Sequence, residues 1–152
     1  MTMINKKAWL RMACAALILS TAGVAAVAQV DVIKTRQDAM KQNGADLKQI
    51  DDIIKANGNV ADIVPIAQKL EDTAAKIPDL FPAGSDQGDT GANASIWQNF
   101  DDFKAKAANF GNQAKMLASA AQAGDMATVR AQFNEVIAAC GDCHKPYRHK
   151  RS

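Results

Sequence analysis

The 152-residue chain reads as an all-α protein, an antiparallel four-helix bundle, on two observations. Apolar residues recur at helical spacing along four stretches, giving each a single apolar stripe. Short or moderate connections separate those stretches, marked by Asn57-Gly58-Asn59, by a Pro- and Gly-containing run from Pro78 to Ala94, and by Gly124-Asp125. Stripes on four helices with connections this short are buried together in one compact domain.

The first 28 residues stand outside that domain. Lys6, Lys7 and Arg11 form a basic start, Met12 to Val27 is an apolar and small-residue stretch, and Ala26-Val27-Ala28 fits a small-x-small cleavage site. The stretch is too short and too rich in alanine for a membrane span. Residues 1–28 are therefore expected to be a cleaved secretory signal and residues 29–152 the mature domain, located in the periplasm and not embedded in the membrane. Arg11-Met12-Ala13 before Cys14 matches a lipoprotein site poorly, so Cys14 leaves with the signal. Three of the 18 Lys and Arg residues leave with it too, which sets 15 against 16 acidic residues, a net charge of −1. The basic tail of Lys145, Arg148, His149, Lys150 and Arg151 has no nucleic-acid motif beside it, and no nucleic-acid partner is expected.

Ile33, Met40, Leu47 and Ile54 recur every seven residues, with Ile50 and Ile53 in the same stripe, and predict one helix over about 31–56. Asn57-Gly58-Asn59 ends it with residues that tolerate the left-handed region and can cap the next helix. The second helix carries Val60, Ile63, Val64, Ala67, Leu70, Ala74 and Ile77; Pro65 makes its start irregular or delays it to near Asp62. After the 78–94 connection, Trp97, Phe100, Phe103, Ala107, Phe110, Ala114, Leu117 and Ala121 predict a third helix over about 95–123. The last helix follows Gly124-Asp125 and sets Met126, Val129, Phe133, Val136, Ile137, Cys140 and His144 on one side.

Cys140-Gly141-Asp142-Cys143-His144, near the end of this last helix, carries the chemistry. Cys-x-x-Cys-His is the signature of c-type haem attachment. On a helix the two thiols can each form a thioether to the same porphyrin, and His144 can turn its imidazole onto the iron. A redox pair of cysteines would need no His144 and normally accompanies a strand-helix-strand unit, which this chain lacks. A structural zinc site would crowd Cys140, Cys143, His144 and His149 into ten residues, with no second ligand pair at a distance. His149 is also turned about 140° around the helix from His144 and cannot close the same iron site. One covalently attached haem c per chain is expected, in keeping with export, since bacterial c-type haem is attached after the chain crosses the membrane.

The haem motif with Lys145-Pro146-Tyr147-Arg148 after it, Arg36-Gln37-x-x-Met40 in the first helix, Leu80-Phe81-Pro82 and Ile96-Trp97 together resemble the class II cytochromes c, the family of cytochromes c′ and their low-spin, methionine-ligated relatives. The resemblance spans essentially all of Gln29 to Arg151. Cytochromes c′ are established four-helix bundles that bind their cofactor in the bundle core. The resemblance implies thioethers at Cys140 and Cys143 and His144 as the proximal iron ligand, with Arg148 beside that imidazole. It puts Arg36 and Gln37 along the haem edge, Arg36 toward a propionate, and Met40 on the distal side. Asn93-Ala94 stands where the family often has a basic-proline pair, a departure at the loop contacts.

Met40 lies on the seven-residue stripe, so core packing accounts for it as well as iron ligation does. If its sulfur binds the iron, the haem is six-coordinate and the protein is a one-electron carrier with a periplasmic redox partner. If Met40 only packs, the haem is five-coordinate and the pocket admits nitric oxide or carbon monoxide. Electron transfer is the expected function and gas binding the alternative. No enzymatic activity is expected, because no distal His-Arg pair or carboxylate suits general acid-base work. The family further implies a homodimer paired through the first two helices.

Overall fold

The computed structural model describes residues 21–149, with side chains described from Asp31 onward. Five α-helices occur among the described residues: α1 Thr21–Lys55, α2 Ile63–Lys76, α3 Ser95–Gln98, α4 Phe100–Gln122 and α5 Met126–Tyr147. The four long ones form the expected antiparallel bundle, and α3 is a single turn. Residues 1–20 of the expected export signal lie outside the described residues, and the expected cleavage point after Ala28 falls within α1. No helix among the described residues is long and apolar enough to cross a membrane.

The helix ends follow the local chemistry the sequence carries. Asn57 adopts a left-handed φ of 48°, and Gly58 N donates to Ile53 O at 2.9 Å, which closes α1. Asn59 then caps a 3-10 turn, Val60–Asp62, through Ala61 N at 3.2 Å. That turn resolves the irregular start expected around Pro65. The proline occupies the first turn of α2, where its missing N–H has no helical partner to lose. Gly124, at φ 75°, ends α4, and the Asp125 carboxylate caps α5 through Ala127 N at 2.9 Å.

Ile50, Ile63, Leu70, Leu117, Val129 and Val136 are wholly buried and join α1, α2, α4 and α5 in one core. Small side chains let α2 and α4 approach closely. A Cβ on Gly111 would lie 3.1 Å from that of Ala74, so glycine is what fits there.

Two sequence expectations are corrected. The helix expected over 95–123 is broken at Asn99, whose φ of −130° and ψ of 46° separate α3 from α4. The α3 turn is held from outside: Trp97 Nε1 donates to Pro82 O at 2.9 Å, and Ser95 Oγ donates to Pro146 O at 2.9 Å. Apolar spacing continues through the break, so periodicity alone cannot reveal it. On α5 the buried line runs through Val129, Val136 and Ala139, whereas Ile137 is 45% exposed. One residue along a helix is about 100° around it, enough to carry Ile137 off the inner face.

Candidate functional site

Between α1, the end of α5 and the start of α4 lies a cavity of about 460 Å³. That size falls within the roughly 300–1,000 Å³ of small-molecule and cofactor sites. Cys140, Cys143, His144 and Arg148 line it from the last turns of α5 and just beyond, and Arg36, Gln37 and Met40 line it from α1. All seven residues singled out from sequence therefore border one space. Ile77, Phe81, Ile96, Phe103 and Phe110 supply much of its apolar wall.

Cys140 and Cys143 are free, half-buried thiols one helical turn apart. Burial pushes the Cys140 pKa up and, against the opposing charge of Lys106, pushes Cys143 up to about 11. Thiols held protonated in this way differ from the low-pKa, electropositive cysteines of redox pairs. His144 extends from an exposed helix surface to the cavity rim. Partial burial there, reinforced by the Arg148 charge, lowers its pKa and favours the neutral imidazole that a metal requires. Among the described residues no three His, Cys, Asp or Glu side chains converge as a metal-binding group. His149 instead pairs through its backbone, its N donating to Gly91 O at 2.8 Å.

Arg36 is only 3% exposed. Nη1 donates to Ser85 Oγ at 2.9 Å and Leu80 O at 3.5 Å, while Nη2 donates to Ser85 O and Thr90 Oγ1, both at 2.6 Å. The guanidinium also lies 4.8 Å from the centre of the Phe81 ring. Burial lowers its pKa, with the Asp86 charge opposing. Arg36 thus borders the cavity and at the same time clasps the 78–94 connection over it. Gln37 adds a second tie, Nε2 donating to Asp89 O at 2.7 Å.

The same connection is closed against the chain's C-terminal end. Asn93 N donates to Tyr147 O at 3.0 Å, and Ala92 bridges Arg148 in antiparallel fashion. Asn93, where the sequence departs from the family pattern, also accepts Ser95 N on Oδ1 at 3.0 Å. Tyr147 packs its ring edge-on to Phe103 with centroids 5.4 Å apart, and its hydroxyl donates to Asp102 at 2.6 Å. That hydrogen bond, aided by burial, pushes the tyrosine pKa up to about 12.

Sequence reasoning missed Ser85, Thr90 and Asn43. The first two sit in a run without periodicity, and nothing local marks them as partners of an arginine some 50 residues away. Asn43 did leave a signal, being a polar residue on the apolar stripe between Met40 and Leu47.

The donor set fits haem c. Two thiols one turn apart stand on one wall with a neutral imidazole next to them, a thioether comes from the facing helix, and apolar side chains fill the space between. Known proteins agree. Residues 31–148 match the family model described as Cytochrome C′. Cytochrome c-556 of Agrobacterium tumefaciens (strain II Chrys) is 42% identical over 122 residues, covering 78% of this chain and 98% of the relative. The crystal structure of cytochrome c′ from Thermochromatium tepidum aligns with a TM-score of 0.74 at 29% identity, over 80% of this chain and 97% of that one. A nitric oxide complex of a mutant cytochrome c prime from Alcaligenes xylosoxidans aligns at 0.73 with 30% identity, over 81% and 97%.

Proposed function

The chain belongs to the cytochrome c′ family, and from that premise we propose that it is an exported one-electron carrier whose haem c iron is held between His144 and Met40. The observation that carries this is the place of Met40. Of the methionines beyond the signal, Met40 alone lines the cavity, whereas Met116 is 54% exposed and Met126 packs elsewhere on the core.

Haem c supplies a reversible one-electron iron couple. Cys140 and Cys143 tether it to α5, and His144 offers a neutral nitrogen beside them. Met40, unbranched, half-buried and lining the same cavity, would offer its thioether sulfur as a further ligand. The Arg36 clasp holds the connection that borders the rim, and largely apolar walls would surround the cofactor. Export is supported by the basic start and small-x-small site, and by a family match that begins at residue 31, just past the expected cleavage point.

Gas binding is the second reading, favoured by the nitric oxide complex among the solved relatives. Reduced optical spectra with and without carbon monoxide, native beside Met40→Ala, separate the two. The carrier shows low-spin bands and resists carbon monoxide until Met40 is removed. A native protein already high spin and quick to bind carbon monoxide is a gas-binding cytochrome c′ instead.

A further inference from the structure

Two buried side-chain oxygens among the described residues have no hydrogen-bond partner, Asn43 Oδ1 and Asp46 Oδ2. They belong to residues three apart on α1, a spacing that puts side chains next to each other on one helix face. Asn43 is 6% exposed and lines the cavity one turn beyond Met40. Asp46 is equally enclosed and takes both its donors on the same oxygen: Gln42 Nε2 at 2.9 Å and Lys69 Nζ at 3.0 Å both reach Oδ1. Two neighbouring acceptors are thus left needing donors in the interior, a costly arrangement unless something supplies them. A metal cation is disfavoured by the Lys69 ammonium already paired with this carboxylate. Water has two donors, and buried waters typically bridge polar groups that the protein leaves unsatisfied.

We propose that Asn43 and Asp46 share a buried water at the α1 wall of the haem cavity, which donates one O–H to each oxygen. The proposal rests on haem occupying this cavity and not on Met40 ligating the iron. With both protons directed at α1, the lone pairs of the water turn away from the helix toward the cavity. Oxidised haem carries one more positive charge than reduced haem, so an oxygen presented to it favours the oxidised state. Asn43 is a positioning residue that lowers the reduction potential through this water.

The test is a high-resolution crystal structure of the native haem protein beside Asn43→Leu, with the midpoint potential of each measured by spectroelectrochemical titration. An ordered water within hydrogen-bond distance of Asn43 Oδ1 and Asp46 Oδ2 is expected in the native protein and not in the variant. The potential of the variant is expected to rise, leaving it severalfold more reduced at the same applied potential. A dry site, a direct Asn43–Asp46 hydrogen bond, or equal potentials would overturn the proposal. If Asn43→Leu does not fold, the native structure decides by the presence or absence of the water. Carbon monoxide binding tests the carrier reading separately and moves none of these outcomes.

Discussion

At one end of the bundle, Ile50, Ile54, Ile63, Leu70, Leu117 and Val129 from α1, α2, α4 and α5 are buried in a continuous apolar core. At the other, α1, α4 and α5 with the 78–94 connection border a cavity of about 460 Å³, lined among others by Met40, Ala107, Ala139, Cys140 and Cys143, with Arg36 and Asn43 buried at its edge. Both ends use helical apolar spacing. What separates them is what the stripes meet: aliphatic side chains from four helices close on one another at one end, while at the other Met40, Cys140, Cys143 and a wall of Ile and Phe side chains border a space. Protein interiors hold few voids larger than a water molecule, so the open end is a core that its cofactor completes.

The largest expected effect comes from the open end. Mass spectrometry after acid-acetone extraction is expected to find one haem retained on the native chain, and none after Cys140→Ala with Cys143→Ala. Next is the closed end, where Leu70→Ala is expected to cost about 2–5 kcal/mol in denaturant unfolding and leave the haem spectrum unchanged. A spectral change there would erase the distinction between the ends.

Arg36→Met keeps the stem packing of the side chain and removes the clasp. It is expected to cost about 1–3 kcal/mol and to make the segment from 82 to 92 the first site of proteolysis. Cleavage elsewhere first would show that the clasp is not what holds this connection. Tyr147→Phe removes the hydroxyl's bonds to Asp102 at 2.6 Å and to Asn99 O at 3.4 Å and is expected to cost about 1 kcal/mol. Self-association is the weakest effect. Among the large hydrophobic side chains described, only Met116 and Ile137 are exposed, on α4 and α5, so pairing through α1 and α2 would rest on half-buried side chains such as Leu47 and Val64. Light scattering is expected to show dimers at high micromolar protein that dissociate on dilution, and a single-chain mass throughout would remove the dimer.

Much of the open end was legible because its chemistry is local. Two thioethers and an adjacent imidazole demand a fixed spacing, and Cys140, Cys143 and His144 display it within five residues. The helices were legible for the same reason, since stripe and caps are short-range patterns. What the sequence concealed depends on partners distant in the chain. The resemblance places Arg36 at the haem edge, but nothing local shows that Ser85 and Thr90 fold onto it. Asn99 interrupts the backbone without shifting the apolar register, and the hydrogen bonds holding that turn come from the 78–94 connection and from α5.

Amide hydrogen exchange of the native haem protein beside the haem-free Cys140→Ala, Cys143→Ala variant tests most directly whether haem completes the open end. Protection is expected to fall around residues 36–47, 80–96 and 139–148 while persisting over 50–74 and 114–133. A loss spread evenly over both ends, or one centred on Ile50, Leu70 and Leu117, would contradict the account.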